Sequence, residues 1–137
     1  MKTKILVIGV VKKGDSVLMR KKPDGSLPYK ETWYLFGGEL SAGLSPEDVI
    51  TQEVKAKTGI DIKISERLSW DTEIKKDVDG EEKHFIYLDT LCEYVGGKEK
   101  LSPGIQKLEW IPIGQLKDYD IVPPSRKLFI KLNYLER

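Results

Sequence analysis

Hydrophobic and polar positions along the chain alternate in blocks that predict strands first and helices later. Ile5 to Val11 is continuously apolar and rich in β-branched residues, the pattern of a strand buried on both faces. Gly14-Asp15 turns the chain, and Ser16 to Lys22 returns as a second strand, so the first two elements predict a hairpin. Pro23 to Lys30 holds two prolines and a glycine and reads as a loop. Thr32 to Phe36 predicts a short aromatic strand. Alternation sends Trp33 and Leu35 to one face and Tyr34 and Phe36 to the other. Gly37 and Gly38 then lead a loop into a helix. Ser45 is a good N-cap, and Pro46 takes the first helical position, where its missing N–H costs nothing. Glu47 and Asp48 complement the positive end of the helix dipole, and Gly59 suits the left-handed residue that ends it.

Two long strand-like runs follow, Ile60 to about Ile74 and about Lys83 to Val95, with Asp77-Val78-Asp79-Gly80 as a hairpin signal between them. Gln106 to Ile113 predicts another strand, and Gly114 to Tyr119 a short helical turn. Pro123-Pro124 opens a last helix whose apolar positions Leu128, Phe129, Leu132 and Leu135 recur at helical intervals. The order β-β-β-α-β-β-β-α predicts an α/β fold, a mixed sheet with helices packed on its faces.

Composition narrows the class without naming a function. The 137 residues, 39% hydrophobic and 33% charged, fit one soluble domain spanning 1–137 with a core of its own. A net charge of +1 argues for neither a nucleic acid nor a membrane surface as partner, and no nucleic-acid motif is present. Cys92 has no second cysteine to pair with, and its apolar setting predicts a buried, inert thiol. The apolar stretch in MKTKILVIGVVKKGD is too short to cross a membrane and no small-residue cleavage site follows it, so a cytoplasmic location is expected.

The helix after the glycine pair is the candidate centre of chemistry. Its exposed face carries Gln52, Glu53, Ala56 and Lys57, because residues three and four apart share a face. Only one of the four is a carboxylate. Glu47 and Asp48 lie in the first turn, directed away from Glu53, and read as capping acids. Arg20, beside Lys21 and Lys22, either reaches a phosphate or ends a strand in water. Trp33 either stacks on a base or packs in the core. His84, the sole histidine, is a strand-end residue with no partner histidine near it, and Asp77 and Asp79 are turn residues.

The stretch Gly38–Ile60 resembles the box of the Nudix family, G-x5-E-x7-R-E-U-x-E-E-x-G-U, without a gap. Gly38, Glu53, Val54, Gly59 and Ile60 stand where the box has its glycine, a central glutamate, its aliphatic residue and its closing pair. Leu44, Gln52, Ala56 and Lys57 stand where it has Glu, Arg and the Glu-Glu pair. Trp33 and the Glu-Trp-Ile-Pro-Ile run at 109–113, followed by a closing helix, extend the resemblance over nearly the whole chain. It implies a Nudix-type α/β/α sandwich with a mixed β-sheet, and hydrolysis of a phosphoanhydride in a nucleoside diphosphate derivative or other phosphorylated small molecule.

The family's chemistry uses Mg²⁺ or Mn²⁺, hard cations held by oxygen ligands. The resemblance makes Glu53 the catalytic and metal-ligating residue, with the Gly37 carbonyl as a further weak ligand. Ala56 supplies no ligand atom, and the Lys57 ammonium repels a divalent ion. Glu39 beside the glycine pair is able to swing inward, and the family often adds a ligand from a later loop, the region where Glu81, Glu82, Glu93 and Glu99 stand. The expectation is therefore a degenerate site, with weak or lost metal-dependent hydrolysis, or a non-catalytic module that binds a nucleotide or a protein. In the binding reading Lys57 holds a phosphate directly, with the Gly37 and Gly38 amides beside it; otherwise it is a solvated helix lysine, and Glu53 a structural acid. No interface pattern for self-association stands out.

Overall fold

The structure, a computed structural model, describes residues 1–24, 26 and 28–137. Its elements in chain order are β1 (Thr3–Lys13), β2 (Ser16–Lys21), β3 (Trp33–Tyr34), β4 (Phe36–Glu39), α1 (Pro46–Thr58), β5 (Ile60–Lys76), β6 (Glu82–Gly97), β7 (Lys107–Pro112) and α2 (Pro123–Lys131), with a 3-10 turn at Ile113–Asp118. The sheet is mixed and runs β3-β2-β1-β6-β5, with β4 also on β1 and β7 also on β2. β1 and β6 pair in parallel from Thr3↔His84 to Lys12↔Glu93. Every other strand pairing is antiparallel.

The two faces of the sheet carry separate apolar clusters, as an α/β/α sandwich requires. Val7, Val11, Phe36, Ile50, Val54 and Cys92 pack on the α1 side. Val10, Met19, Trp33, Leu35, Leu128 and Phe129 pack on the α2 side. Cys92 is a buried free thiol, as its setting predicts. No helix is long and apolar enough to cross a membrane among the described residues.

α1 forms where its caps place it. The Ser45 hydroxyl accepts from the Asp48 N–H, and Gly59 closes the helix at φ 78° with its N–H donated to the Lys55 carbonyl. A Cβ at Gly59 would lie 2.5 Å from the Lys98 carbonyl oxygen, so both conformation and space demand glycine.

Four expectations change. The aromatic run is two strands: Trp33–Tyr34 pairs with β2, while Phe36–Glu39 pairs with β1. They part at Leu35, whose N–H is taken by the Ser125 hydroxyl. Gly37 and Gly38 lie in β4 and not in a loop, because the ladder to β1 overrides their low strand propensity. The last helix ends at Lys131, short of Leu132 and Leu135, and Asn133 follows at φ 62°. The expected hairpin of β1 and β2 is confined to Lys12↔Val17 and Lys13↔Ser16, since β1 spends its length on β4 and β6. Within the predicted Pro23–Lys30 loop, Gly25 and Leu27 lie outside the described residues.

At the β5–β6 turn, Asp77 takes Lys4 Nζ at 2.8 Å and Lys83 Nζ at 2.9 Å, tying β1 to the hairpin tip. These two hydrogen bonds hold its carboxyl well below the usual carboxylate range. A depressed folded-state pKa stabilises above the unfolded value near ~4 and is lost as pH falls below it. Asp77→Asn is therefore expected to lower the thermal midpoint at pH 7. The gap from the unmodified protein should close progressively below about pH 4, followed by thermal melts across pH.

Candidate functional site

A cavity of about 670 Å³ opens on the α2 side of the sheet. Its floor includes Leu6 and Ile8 of β1, and the start of α2 borders it. β2 supplies Arg20. β5 and β6 supply polar side chains at every second position, Asp71, Glu73 and Lys75 from one strand and Tyr87 and Asp89 from the other.

Arg20 is only 9% exposed. Its guanidinium carbon lies 4.2 Å from the Tyr34 ring centroid and 4.7 Å from that of Phe36, a stacked arrangement. Its Nε is buried with no hydrogen-bond partner. Among the described residues the guanidinium enters no hydrogen bond or ion pair. Burial draws its pKa down, and Tyr34 and Glu53 pull it back up. A buried cation with an unused donor fork is costly to keep without an anion. Lys22, also buried, spends its ammonium on the carbonyls of Ser26 and Tyr29, 2.6 and 2.7 Å away. It thereby fixes the chain that follows β2.

Tyr29 and Tyr87 both donate their hydroxyls to Glu73, and Lys75 lies 3.2 Å from the same carboxylate oxygen. Burial works against the charge on Glu73, but these donors hold its pKa below the ordinary value. Burial and the same carboxylate push both tyrosines up, so they stay protonated donors. Lys75 packs 4.7 Å from the Tyr29 ring and 4.6 Å from the Phe85 ring, and burial lowers its pKa. Beyond this group, Asp71 is held ionised by Lys131 and Lys127 of α2 at 2.7 and 3.2 Å. Asp89 lies against it, 5% exposed, with the Ser69 hydroxyl donated to it at 3.2 Å.

Of the residues singled out from the sequence, Arg20 and Gly37 line this cavity. The ladder to β1 makes Leu40 N donate to Ile5 O, which by alternation pairs Gly38 with Val7 and turns the Gly37 N–H and C=O away from β1. Gly38 lies under α1 instead: a Cβ there would meet Val49 Cγ1 at 2.8 Å and Glu53 Cβ at 3.4 Å. Glu53 is half-buried above that strand, near enough to influence Arg20. Lys57 does not line the cavity, and its carbonyl accepts from Ser102. Trp33 packs in the core, edge-on to Tyr119 with centroids 5.1 Å apart. Glu39 is drawn to Lys4 at 3.8 Å and Glu47 to Arg67 at 2.8 Å.

The wall formed by Asp71, Glu73, Tyr87 and Asp89 escapes sequence reasoning. The run Trp70-Asp71-Thr72-Glu73-Ile74 alternates, but its apolar members face out: Trp70 is 77% and Ile74 60% exposed. The usable signal was acids at period two in β5 facing Tyr87 and Asp89 at period two in β6.

The donor set on α1 does not suit a hard divalent cation. Such an ion takes six or more oxygens, several from carboxylates. The helix face offers Glu53 with Gln52, Ala56 and Lys57 around it. Among the described residues no three His, Cys, Asp or Glu side chains gather closely enough to hold a metal ion.

Comparison with known proteins agrees with the fold. The sequence profile of the NUDIX domain matches residues 2–132. An ADP-ribose pyrophosphatase of Methanocaldococcus jannaschii is 24% identical over 112 residues, covering 82% of this chain and 63% of the relative. The chain thus spans less than two thirds of that relative's length. Among solved structures, a NUDIX hydrolase from Nitrosomonas europaea superposes with a TM-score of 0.73 at 17% identity, covering 96% of this chain and 89% of the other. The E. coli ORF135 protein gives 0.69 at 19% identity, covering 97% and 92%. These last two likenesses speak for the fold alone. Matched by the family profile along almost all of its length, and built on the same sandwich, the chain belongs to the Nudix family.

Proposed function

We propose that this Nudix protein binds a nucleoside diphosphate derivative in the cavity beneath α2, with weak or lost metal-dependent hydrolysis. The observation that supports the binding half is Arg20, a buried residue among those lining the cavity, whose guanidinium stacks on two rings and whose Nε has no hydrogen-bond partner. A phosphate supplies the missing acceptor, and the planar fork matches its oxygens. The poor donor set on α1 supports the second half, since Glu53 alone does not assemble an oxygen cage. The relative's name makes ADP-ribose a natural probe.

Slow hydrolysis is a second reading, favoured by the place of Glu53 over Gly38 and within electrostatic reach of Arg20. The two readings separate on metal. Calorimetry with ADP-ribose and ADP is expected to give a Kd that changes less than about twofold with EDTA. Arg20→Met, which keeps the packed stem, should weaken binding by about 1.5–3 kcal/mol, the value of hydrogen bonds to a charged group. Tight binding that requires Mg²⁺ or Mn²⁺, with turnover abolished by Glu53→Gln, would instead establish the enzyme.

The helix face can also be rebuilt. Ala56→Glu with Lys57→Glu removes a positive charge and adds two carboxylates on the Glu53 side of α1. Manganese affinity, measured by calorimetry, should rise by about tenfold or more, as expected when like-charge repulsion becomes attraction at close range. No gain would show that these positions do not converge.

A further inference from the structure

β5 ends the path of the sheet, paired with β6 on one side and with no strand on the other among the described residues. After the register shift between Arg67 and Trp70 it runs without interruption from Trp70↔Leu88 to Lys76↔Glu82. The hairpin beyond it fixes which amides are free. The Asp77 N–H donates to the Glu81 carbonyl. By alternation Lys75, Glu73 and Asp71 exchange hydrogen bonds with β6, while Lys76, Ile74, Thr72 and Trp70 turn their N–H and C=O groups to the outer edge. Among the described residues no other segment of backbone takes up these outward groups.

An edge in this state is a template for a further strand, and natural edges are usually blunted by charge, proline or bulges. This one exposes Trp70 and Ile74, with Val78 exposed just past the strand end. Along the sequence Trp70 and Ile74 pass for core residues; only their place on the edge strand shows them as surface.

The strand is complementary to itself. Trp70 and Val78 stand four residues to either side of Ile74, Thr72 and Lys76 two, and Glu73 and Lys75 one, with opposite charges. A second β5 laid antiparallel, with Ile74 opposite Ile74, therefore sets Glu73 opposite Lys75, Thr72 opposite Lys76 and Trp70 opposite Val78. Each pairing occurs twice about a two-fold axis. The outward groups of Thr72, Ile74 and Lys76 meet in this register and exchange about six ladder hydrogen bonds. Glu73 and Lys75 already lie 3.2 Å apart within one chain, so two copies complete an alternating square of charges. Neighbouring registers fail on charge, because like charges directly opposite are destabilising. Centring on Glu73 or on Lys75 sets that residue against itself, and centring on Thr72 sets Asp71 against Glu73. The like pairing left in the Ile74 register, Asp71 with Asp77, falls at the strand end. There Asp71 is held by Lys127 and Lys131, and Asp77 by Lys4 and Lys83.

We propose that the free edge of β5 is an interface between two copies of this chain, joined about a two-fold axis at Ile74 into one continuous sheet. This stands apart from the ligand reading above. A strand pair of this length is a small interface, so a weak dimer that forms with rising concentration is the expected state.

The test is sedimentation equilibrium of the full chain from low to high micromolar concentration. Association to a dimer and no further is expected, because the pairing consumes the edge that makes it. Ile74→Lys and Ile74→Glu change an exposed side chain and place like charges at the axis. Each should weaken the dimer by about tenfold or more, and an equimolar mixture of the two, which pairs lysine with glutamate, should restore it. Thr72→Pro removes an N–H that β6 does not use, and should weaken the dimer while leaving the circular dichroism of the fold intact. A monomer at every concentration overturns the proposal, whether the edge then stays bare or takes a strand from another protein. A dimer indifferent to both Ile74 variants places the contact elsewhere and overturns it, as does failure of the mixed variants to associate.

Discussion

Everything in this fold is arranged around the burial of β1 on every side. One edge of the strand is paired antiparallel with β4 and the other in parallel with β6, while its side chains enter both apolar clusters. Val7 and Val11 point to α1, Ile8 and Val10 to the opposite side. A slip of one residue would exchange these sets, so the register is strongly held. The site inherits that rigidity. Leu6 and Ile8 are its floor, and Ile8 sets the strand spacing between Asp89 and Gly37.

On this floor the charges are sorted. Arg20 lines the cavity without a partner for its Nε, Asp71 and Asp89 line it from β5 and β6, and the Tyr29 and Tyr87 hydroxyls, which burial keeps protonated, are donated to Glu73. Meanwhile the helix that carries the family's acids bears Lys57 where a carboxylate belongs. In the proposed reading the cleft recognises the ligand, while α1 offers Glu53 with Gln52, Ala56 and Lys57 around it. On that proposal recognition draws on β2, β5 and β6 and hydrolysis on α1, so one can change without the other.

The sequence made α1 legible because every boundary of that helix is local: Ser45, Pro46 and Gly59 act within one turn of themselves. The central strand was legible for the same kind of reason, since seven apolar residues in a row admit few other readings. Gly37-Gly38 was not, because its strand state comes from β1, about thirty residues upstream. The end of α2 depends on a left-handed Asn133 that no periodicity announces. Arg20 was visible as a candidate, but its isolation from any anion was not, since Tyr34 and Phe36 stack on it only once β2 and β3 have paired. The acid pair was hidden most deeply. Asp71 and Asp89 belong to strands whose register shifts between Arg67 and Trp70, and the exposed Trp70 and Ile74 disguise which face of β5 is inside.

The most direct trial of the central claim is a crystal structure with a nucleoside diphosphate and Mn²⁺ soaked together, with anomalous scattering used to find the metal. Phosphate oxygens seated on the Arg20 guanidinium, and no manganese peak beside Glu53, is the outcome this account predicts. Manganese caged at Glu53 by oxygens borrowed from other parts of the fold, with Arg20 left unliganded, would contradict it.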